Sequence, residues 1–263
     1  MKESRPGWMG ISAIVVLVVG MVLGLLVGDE SYSALHPFEM SRNLIYVLLI
    51  TICIRILNFE RHSKEKYIWL CLAGAATLNT MGSLVISVFS TTTVSKQIIT
   101  TTSSLIFLFA YLSLILGLIL VVVSLQKQKR DRPSTMNGLL LIVIFVTLVI
   151  SFLFVPVLKT SHLPVIEKTI YSVYLGFDTI IIIISILIFS LLSKKQTLRE
   201  KLSVYDYICF GMIILACYHI FIFFNLFTGN EIHTSFNILR IAVATLWTIG
   251  CDIKLQEVSS DSQ

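Results

Sequence analysis

Runs of roughly 20 consecutive apolar residues constrain this sequence more than any other feature. A helix of that length spans the hydrocarbon core of a bilayer. Lipid offers no hydrogen bonds to backbone N–H and C=O groups, and a helix satisfies these groups internally. The predicted fold class is therefore all-α: a polytopic integral membrane protein with eight transmembrane helices in a bundle. The predicted helices cover residues of about 8–28, 42–59, 67–90, 104–126, 136–158, 169–193, 205–228 and 235–254.

Composition agrees with a membrane-embedded chain. Of the 263 residues, 56% are hydrophobic and only 13% are charged, whereas about 25% of the residues of an ordinary soluble domain are charged. We expect one transmembrane domain over residues 1–254, followed by a short cytoplasmic tail over residues 255–263.

Basic residues alternate between the two sides of the predicted helices. Lys and Arg accumulate in cytoplasmic segments, and 15 of the 20 basic residues fall on one side when the eight helices are threaded in order. This pattern predicts a protein of the cell membrane with both termini in the cytoplasm. The net charge of +5 is then a signal of topology and does not predict nucleic-acid binding. The first run has the basic start of a signal peptide but a longer apolar span, so we expect it to be retained.

Small residues mark two faces for close helix packing. Gly20, Gly24 and Gly28 are four residues apart in the first helix, a spacing that lets another helix backbone approach closely. The neighbour is either a second copy of the chain or, as we expect, another helix of the same chain. In the third helix, Asn79 lies on a stripe of small residues, and we expect its side chain to bond to a neighbouring helix.

One acidic side chain lies two residues before a run of five isoleucines in the sixth helix, in the stretch YLGFDTIIIIIS (174–185). A carboxylate in hydrocarbon is costly unless it is paired. Counting residues from the outer helix ends puts Asp178, His219 and Arg240 at overlapping depths in the outer half of the membrane. The sequence therefore predicts an Asp178–Arg240 ion pair, with His219 or nearby tyrosines completing its hydrogen bonds.

Further polar side chains share the faces of this pair. Tyr171 and Tyr174 precede Asp178 by seven and four residues, so all three lie on one helix face. Asn237 shares the face of Arg240 in the eighth helix. Three roles remain open for this cluster: a structural salt bridge, a ligand pocket open to the outside, or part of a transport pathway.

Motifs of several enzyme and cofactor classes are missing from the sequence. There is no HExxH motif of a zinc protease. Only His219 of the five histidines lies within a predicted helix, which leaves no bis-histidine haem site. His36, His162 and His233 lie in predicted outer loops. We predict no catalytic residue, no metal site and no cofactor.

Four segments share the character of a known class of membrane sensor. They are YIWLCLAGAATLN at 67–79, FLFAYLSLILGLIL at 107–120, YSVYLGFDTIIII at 171–183 and CFGMIILACYHIFIFF at 209–224. Together they resemble the eight-helix N-terminal sensor regions of bacterial diguanylate cyclases of the GGDEF type and of some histidine kinases. Those regions feed a cyclase or kinase domain, whereas this sequence stops at LQEVSSDSQ (255–263). The resemblance implies either a bacterial-type sensor without its own output domain or a truncated product.

The expected function is therefore non-enzymatic sensing or signalling. An outer polar pocket would bind a ligand, and the eighth helix would pass the signal to a separate cytoplasmic protein. The alternative is a small-solute transporter or the membrane subunit of one. The expected partners are the lipid bilayer and either a cytoplasmic signalling protein or a second copy of the chain.

Overall fold

The computed structural model describes residues 7–27, 36–61, 63–89, 96–127, 165–193, 203–228 and 237–261. These residues form seven α-helices and no strand, which confirms the predicted all-α fold for the described part of the chain. The helices are α1 (Trp8–Val27), α2 (Pro37–Phe59), α3 (Lys66–Phe89), α4 (Lys96–Lys127), α5 (Val165–Ser193), α6 (Val204–Thr228) and α7 (Asn237–Asp261).

Six of these helices, α1 to α6, are long and apolar enough to cross a membrane. The seventh, α7, is not among them, and its sequence includes Arg240, Asp252 and Lys254. The predicted fifth helix, 136–158, lies outside the described residues. The structure thus indicates a multi-pass membrane protein, although the described part of the chain does not reach eight apolar spans.

Helices α2 to α7 form a closed ring, in which each helix packs against the next and α7 packs against α2. Helix α1 lies outside the ring, against α2 and α7. Trp69 and Trp247 are fully buried in the core. Many outward side chains are large and apolar, such as Leu26 and Phe109, as expected for a surface in contact with lipid. The ring leaves an interior in which polar side chains can be held away from that lipid.

Helices α2 and α7 run in the same direction. Arg240, near the start of α7, lies 3.7 Å from Glu39 near the start of α2. Lys254, toward the end of α7, lies 3.7 Å from Glu60, which follows α2. These two contacts define the Arg240 end and the Lys254 end of the bundle.

Helix α1 runs antiparallel to this pair. The backbone N–H of Gly10, near the start of α1, donates to the Asp252 carboxylate of α7 at 2.9 Å. The beginning of α1 and the last turns of α7 therefore lie together at the Lys254 end. Both described ends of the chain are consequently on one side of the bundle.

Helices α4 and α5 are also parallel to each other. The Tyr174 hydroxyl donates to the backbone carbonyl of Ser104 at 2.9 Å. Further along both helices, Tyr111 contacts Asp178. The chain between Lys127 and Val165 therefore starts and finishes at opposite ends of the bundle.

The predicted glycine face of α1 packs against α2. A Cβ atom at Gly20 would collide with Ser41, and one at Gly24 would collide with the ring of Phe38. The sequence allowed either a second copy of the chain or another helix of the same chain as the neighbour. At Gly20 and Gly24 the neighbour is a helix of the same chain, α2. Gly28 lies outside the described residues.

Two helices extend furthest beyond their predicted limits. Helix α4 begins at Lys96, ahead of the predicted 104–126 span, and Ser103 in the added turns is buried. Helix α7 continues to Asp261 through the predicted tail, where Leu255 is buried in the core. The polarity of these two segments alone favours a loop or a tail. Burial of Ser103 and Leu255 stabilises them as helix.

Candidate functional site

A cavity of about 220 Å³ lies inside the ring, toward the Arg240 end. We call it the central cavity. Every ring helix contributes to its wall, in chain order through Tyr46, Asn79, Tyr111, Tyr174, Tyr218 and Arg240. The cavity is therefore a feature of the assembled bundle and not of any single helix pair.

Asp178 is held by two side chains from neighbouring helices. Its Oδ1 accepts a hydrogen bond from the Tyr111 hydroxyl at 3.0 Å and lies 3.2 Å from Nδ1 of His219. The Tyr111 hydroxyl also contacts Nδ1 of His219. All these contacts are hydrogen bonds when Nδ1 carries a proton, a tautomer assigned from the bonding pattern. We call these three residues the Asp178 cluster.

A second polar group joins α2, α3 and α7. The Glu39 carboxylate accepts two N–H bonds from Arg42, one turn further along α2, and Arg42 also donates to the Ser83 hydroxyl. Nη1 of Arg240 lies 3.7 Å from the same Glu39 carboxylate. Arg42 is only 2% exposed. Two guanidinium groups thus share one carboxylate in this Glu39 cluster (Glu39, Arg42, Ser83, Arg240).

The predicted direct ion pair between Asp178 and Arg240 is wrong. Within the described part of the chain, Asp178 pairs with His219 and Arg240 pairs with Glu39. The physical reason is lateral position, because α7 packs between α6 and α2 and brings Arg240 to the start of α2. Depth in the membrane alone did not show whether Arg240 pairs with Asp178 or with Glu39.

The other predicted cluster residues meet around the same space. Four of the six line the central cavity: Tyr171, Tyr174, His219 and Arg240. Asn237 is one step removed, since its Oδ1 accepts a long 3.4 Å bond from the hydroxyl of Tyr218, which lines the wall. Asp178 is 1% exposed and is bonded to two wall residues, so its carboxylate lies behind the wall.

Asn79 lines the cavity but does not bond across to another helix as predicted. Its Nδ2 donates to the backbone carbonyl of Ala75 in its own helix at 2.9 Å. The side chain of Asn79 borders the open space of the central cavity. The stripe of small residues still faces protein, with Ala75, Ala76 and Gly82 buried.

Aromatic rings dominate the wall of the cavity. Five tyrosines line it: Tyr46, Tyr111, Tyr171, Tyr174 and Tyr218. The rings of Tyr111 and Tyr174 meet edge to face with centroids 5.4 Å apart, a favourable arrangement. The Arg240 guanidinium lies 5.9 Å from the Tyr218 ring centroid, within the range of a cation–π contact. The wall combines aromatic surface with one fixed positive charge.

Several residues of the site were missed from the sequence. Tyr111 is the single tyrosine of α4 and lies within a largely apolar stretch, and this isolation was the available signal. Glu39 and Arg42 are three residues apart and so share a helix face, but Arg42 was considered only for topology. Tyr46 and Tyr218 carried no signal, because tyrosines are frequent at membrane interfaces without binding anything.

Of the three histidines in predicted outer loops, His36 is the one that the structure describes. His36 is the N-cap of α2, where it is buried and its Nδ1 accepts from the backbone N–H of Phe38 at 3.3 Å. His162 and His233 lie outside the described residues. Within the described ranges, no three His, Cys, Asp or Glu side chains are grouped as a metal ion would require.

Comparison with known proteins identifies no relative: no family model, no curated protein and no solved structure matches this chain. The resemblance to bacterial sensor regions therefore stays a prediction. The functional argument rests on the central cavity and on the two clusters beside it.

Proposed function

We propose that this chain is a non-enzymatic membrane sensor that binds a small ligand in the central cavity and acts on a separate cytoplasmic protein. The observation that carries this proposal is the wall of the cavity, to which all six ring helices contribute. A ligand that touches six helices at once has different contacts in different arrangements of the bundle. Such differential contacts are what shift a conformational equilibrium. The resemblance of 171–183 to sensor regions supports the same reading.

Helix α7 is the proposed route between the cavity and the cytoplasm. Arg240 lines the cavity, and Lys254 lies 3.7 Å from Glu60 and 3.5 Å from Glu65 in the connection between α2 and α3. One helix therefore contacts the ligand space at one end and an ion-pair network at the other. Events at the cavity and at the ion-pair network can therefore both shift the conformational equilibrium of this one rigid helix.

The proposed topology has eight spans with both termini in the cytoplasm. Support comes from the parallel directions of α4 and α5, which require the intervening chain to return from one end of the bundle to the other. The predicted helix 136–158 is long and apolar enough to do so across a bilayer. The basic residues beside the α2–α3 connection support a cytoplasmic Lys254 end.

Reporter fusions test this topology. A periplasmic-type enzyme reporter fused after Gly229 should be active, and the same reporter fused after Gln263 or within the α2–α3 connection after Lys64 should be inactive. A cytoplasmic fluorescent reporter should give the opposite pattern at all three positions. Reporter activity outside the cytoplasm at Gln263 would contradict the eight-span arrangement.

Ligand capture tests the role of the cavity. The purified protein in nanodiscs is incubated with a small-molecule extract of the cells that produce it, washed, and analysed by mass spectrometry. We expect a compound that the wild type retains and Leu215→Trp does not, since Leu215 lines the cavity and indole would fill it. Leu116→Trp is the matched control, because Leu116 is 56% exposed on the outside of α4. Equal retention by both variants would contradict binding in the cavity.

A transporter differs from a sensor in what happens to the captured compound. For a sensor, we expect ligand to slow amide hydrogen exchange at the α2–α3 connection and the end of α7, without accumulation inside proteoliposomes. Uptake that depends on the protein and is lost in Leu215→Trp would support the transporter alternative and overturn the sensor proposal.

A further inference from the structure

We infer that the ligand of the central cavity is a small organic acid, whose anionic group binds Arg240 and whose apolar or aromatic body lies against the ring of tyrosines. This inference rests on the proposed function, since it names the chemical class of the ligand. It is carried by the distribution of charge, by the hydrogen bonds of the tyrosines and by the size of the cavity.

Charge is unevenly exposed to the cavity. Of the described residues that line it, Arg240 is the one that carries a formal charge at neutral pH, and none is acidic. The nearby carboxylate of Asp178 lies behind the wall, with Oδ1 engaged by Tyr111 and His219. A ligand therefore meets a guanidinium directly, whereas the carboxylate lies behind the side chains of Tyr111 and His219.

Glu39 orients Arg240 but is shared with a second arginine. Its two oxygens accept N–H bonds from Arg42, while Nη1 of Arg240 is 3.7 Å away. Charge-assisted N–H···O bonds are about 2.7–2.9 Å long, so the contact with Arg240 is an ion pair and not a close hydrogen bond. Two guanidinium groups and one carboxylate give these three residues a net charge of +1. Arg240 also lines the central cavity, where a ligand carboxylate at hydrogen-bonding distance would lie closer to the guanidinium than Glu39 does.

The aromatic wall is suited to an apolar body. The hydroxyls of Tyr111, Tyr174 and Tyr218 donate to protein acceptors, namely Asp178, the Ser104 carbonyl and Asn237. What these residues offer a ligand is mainly ring surface, which favours aromatic and apolar groups.

Aromatic cages also bind organic cations, but a cation here would share the cavity with the Arg240 guanidinium. Like charges at close range in a low dielectric repel each other strongly. At about 220 Å³, the cavity is also smaller than the roughly 300–1,000 Å³ typical of pockets for drug-sized ligands. The occupant is therefore a small anion rather than a bulky or cationic molecule.

A matched series of probes tests this assignment. Phenylacetate, phenylacetamide and phenethylamine share a benzyl body and differ in charge, from anionic through neutral to cationic. Dissociation constants are measured by ligand-observed NMR with the full-length protein in nanodiscs. We expect phenylacetate to bind at least about tenfold more tightly than either analogue, which corresponds to one charge-assisted contact.

Variants of Arg240 separate charge recognition from general stability. Arg240→Gln should weaken phenylacetate binding at least about tenfold and leave phenylacetamide binding within about twofold, whereas Arg240→Lys should keep part of the preference because the charge remains. Arg61→Gln is the control, since Arg61 is exposed in the connection between α2 and α3. Thermal unfolding in the same nanodiscs checks that each variant is folded.

Three results would overturn the assignment: equal binding of acid and amide, full binding of the acid by Arg240→Gln, or no binding of any of the three probes. None of these would by itself overturn the sensor proposal, because ligand capture with Leu215→Trp decides independently whether the cavity binds another class of compound. Equal retention by Leu215→Trp and Leu116→Trp together with a failed probe series would reject both.

Discussion

Replacing Glu39 with glutamine is expected to lower the free energy of unfolding by about 3 kcal/mol, the lower end of the range for breaking a buried ion pair. The amide keeps one acceptor for Arg42 but loses the negative charge that the two guanidinium groups share. Arg42 is 2% exposed, so its charge would remain away from water without a nearby counter-charge in this cluster. Equilibrium unfolding in mixed micelles of a mild detergent and SDS measures the change.

Glu65→Gln is the matched control for this prediction. Glu65 also pairs with a basic side chain, but Lys254 has a second partner in Glu60 and, unlike the buried Arg42, is partly exposed. Exposed ion pairs contribute between about 0 and 1 kcal/mol, so this variant should lose less than about 1 kcal/mol. Equal losses in the two variants would show that the Glu39 cluster is not the buried, shared ion pair described above.

The second large effect is expected in the Asp178 cluster. Asp178→Asn and Tyr111→Phe each remove part of one contact, in which the hydroxyl donates to Oδ1 at 3.0 Å. Bonds to charged groups contribute about 1.5–3 kcal/mol. Because the two residues are in contact, their effects should not add, and the coupling energy of the double-mutant cycle should fall within about 0.5–3 kcal/mol.

A parallel cycle between Asp178→Asn and Arg240→Gln serves as the comparison. These two residues are paired with different partners, so their coupling should be the smaller of the two. Both cycles use the same mixed-micelle unfolding measurement. A larger coupling between Asp178 and Arg240 than between Asp178 and Tyr111 would contradict the observed partners and restore the pair that the sequence predicted.

Helix content and depth could be predicted from the sequence, and lateral neighbours could not. The rise per residue of a helix is fixed, so counting from the helix ends brought Asp178, His219 and Arg240 to one level before any contact was known. His219 and Asp178 are on helices that follow one another in the chain, and they do meet. Glu39 is remote from Arg240 in sequence, and nothing in the apolar pattern indicated that α7 packs beside α2.

The same distinction holds for the packing faces. The spacing of Gly20 and Gly24 predicted a close approach, because glycines four apart line one face of any helix. Whether that face meets a second copy or a helix of the same chain depends on which helix stands opposite, and here Ser41 and Phe38 of α2 do.

The sequence by itself determined that the described chain is helical and apolar, which of its polar side chains lie at one level, and where its basic residues concentrate. These follow from local properties: hydropathy, helix periodicity and rise per residue. Only the tertiary structure decided that α2 to α7 close into a ring, that Glu39 and not Asp178 pairs with Arg240, and that Tyr111 completes the bonds of Asp178. The physical reason is that a lipid-facing helix surface and a helix-facing surface are both apolar, so hydropathy does not encode which helices are neighbours. The order of helices around the ring is set by the fit of their side chains, and the partners of the buried charges depend on that order.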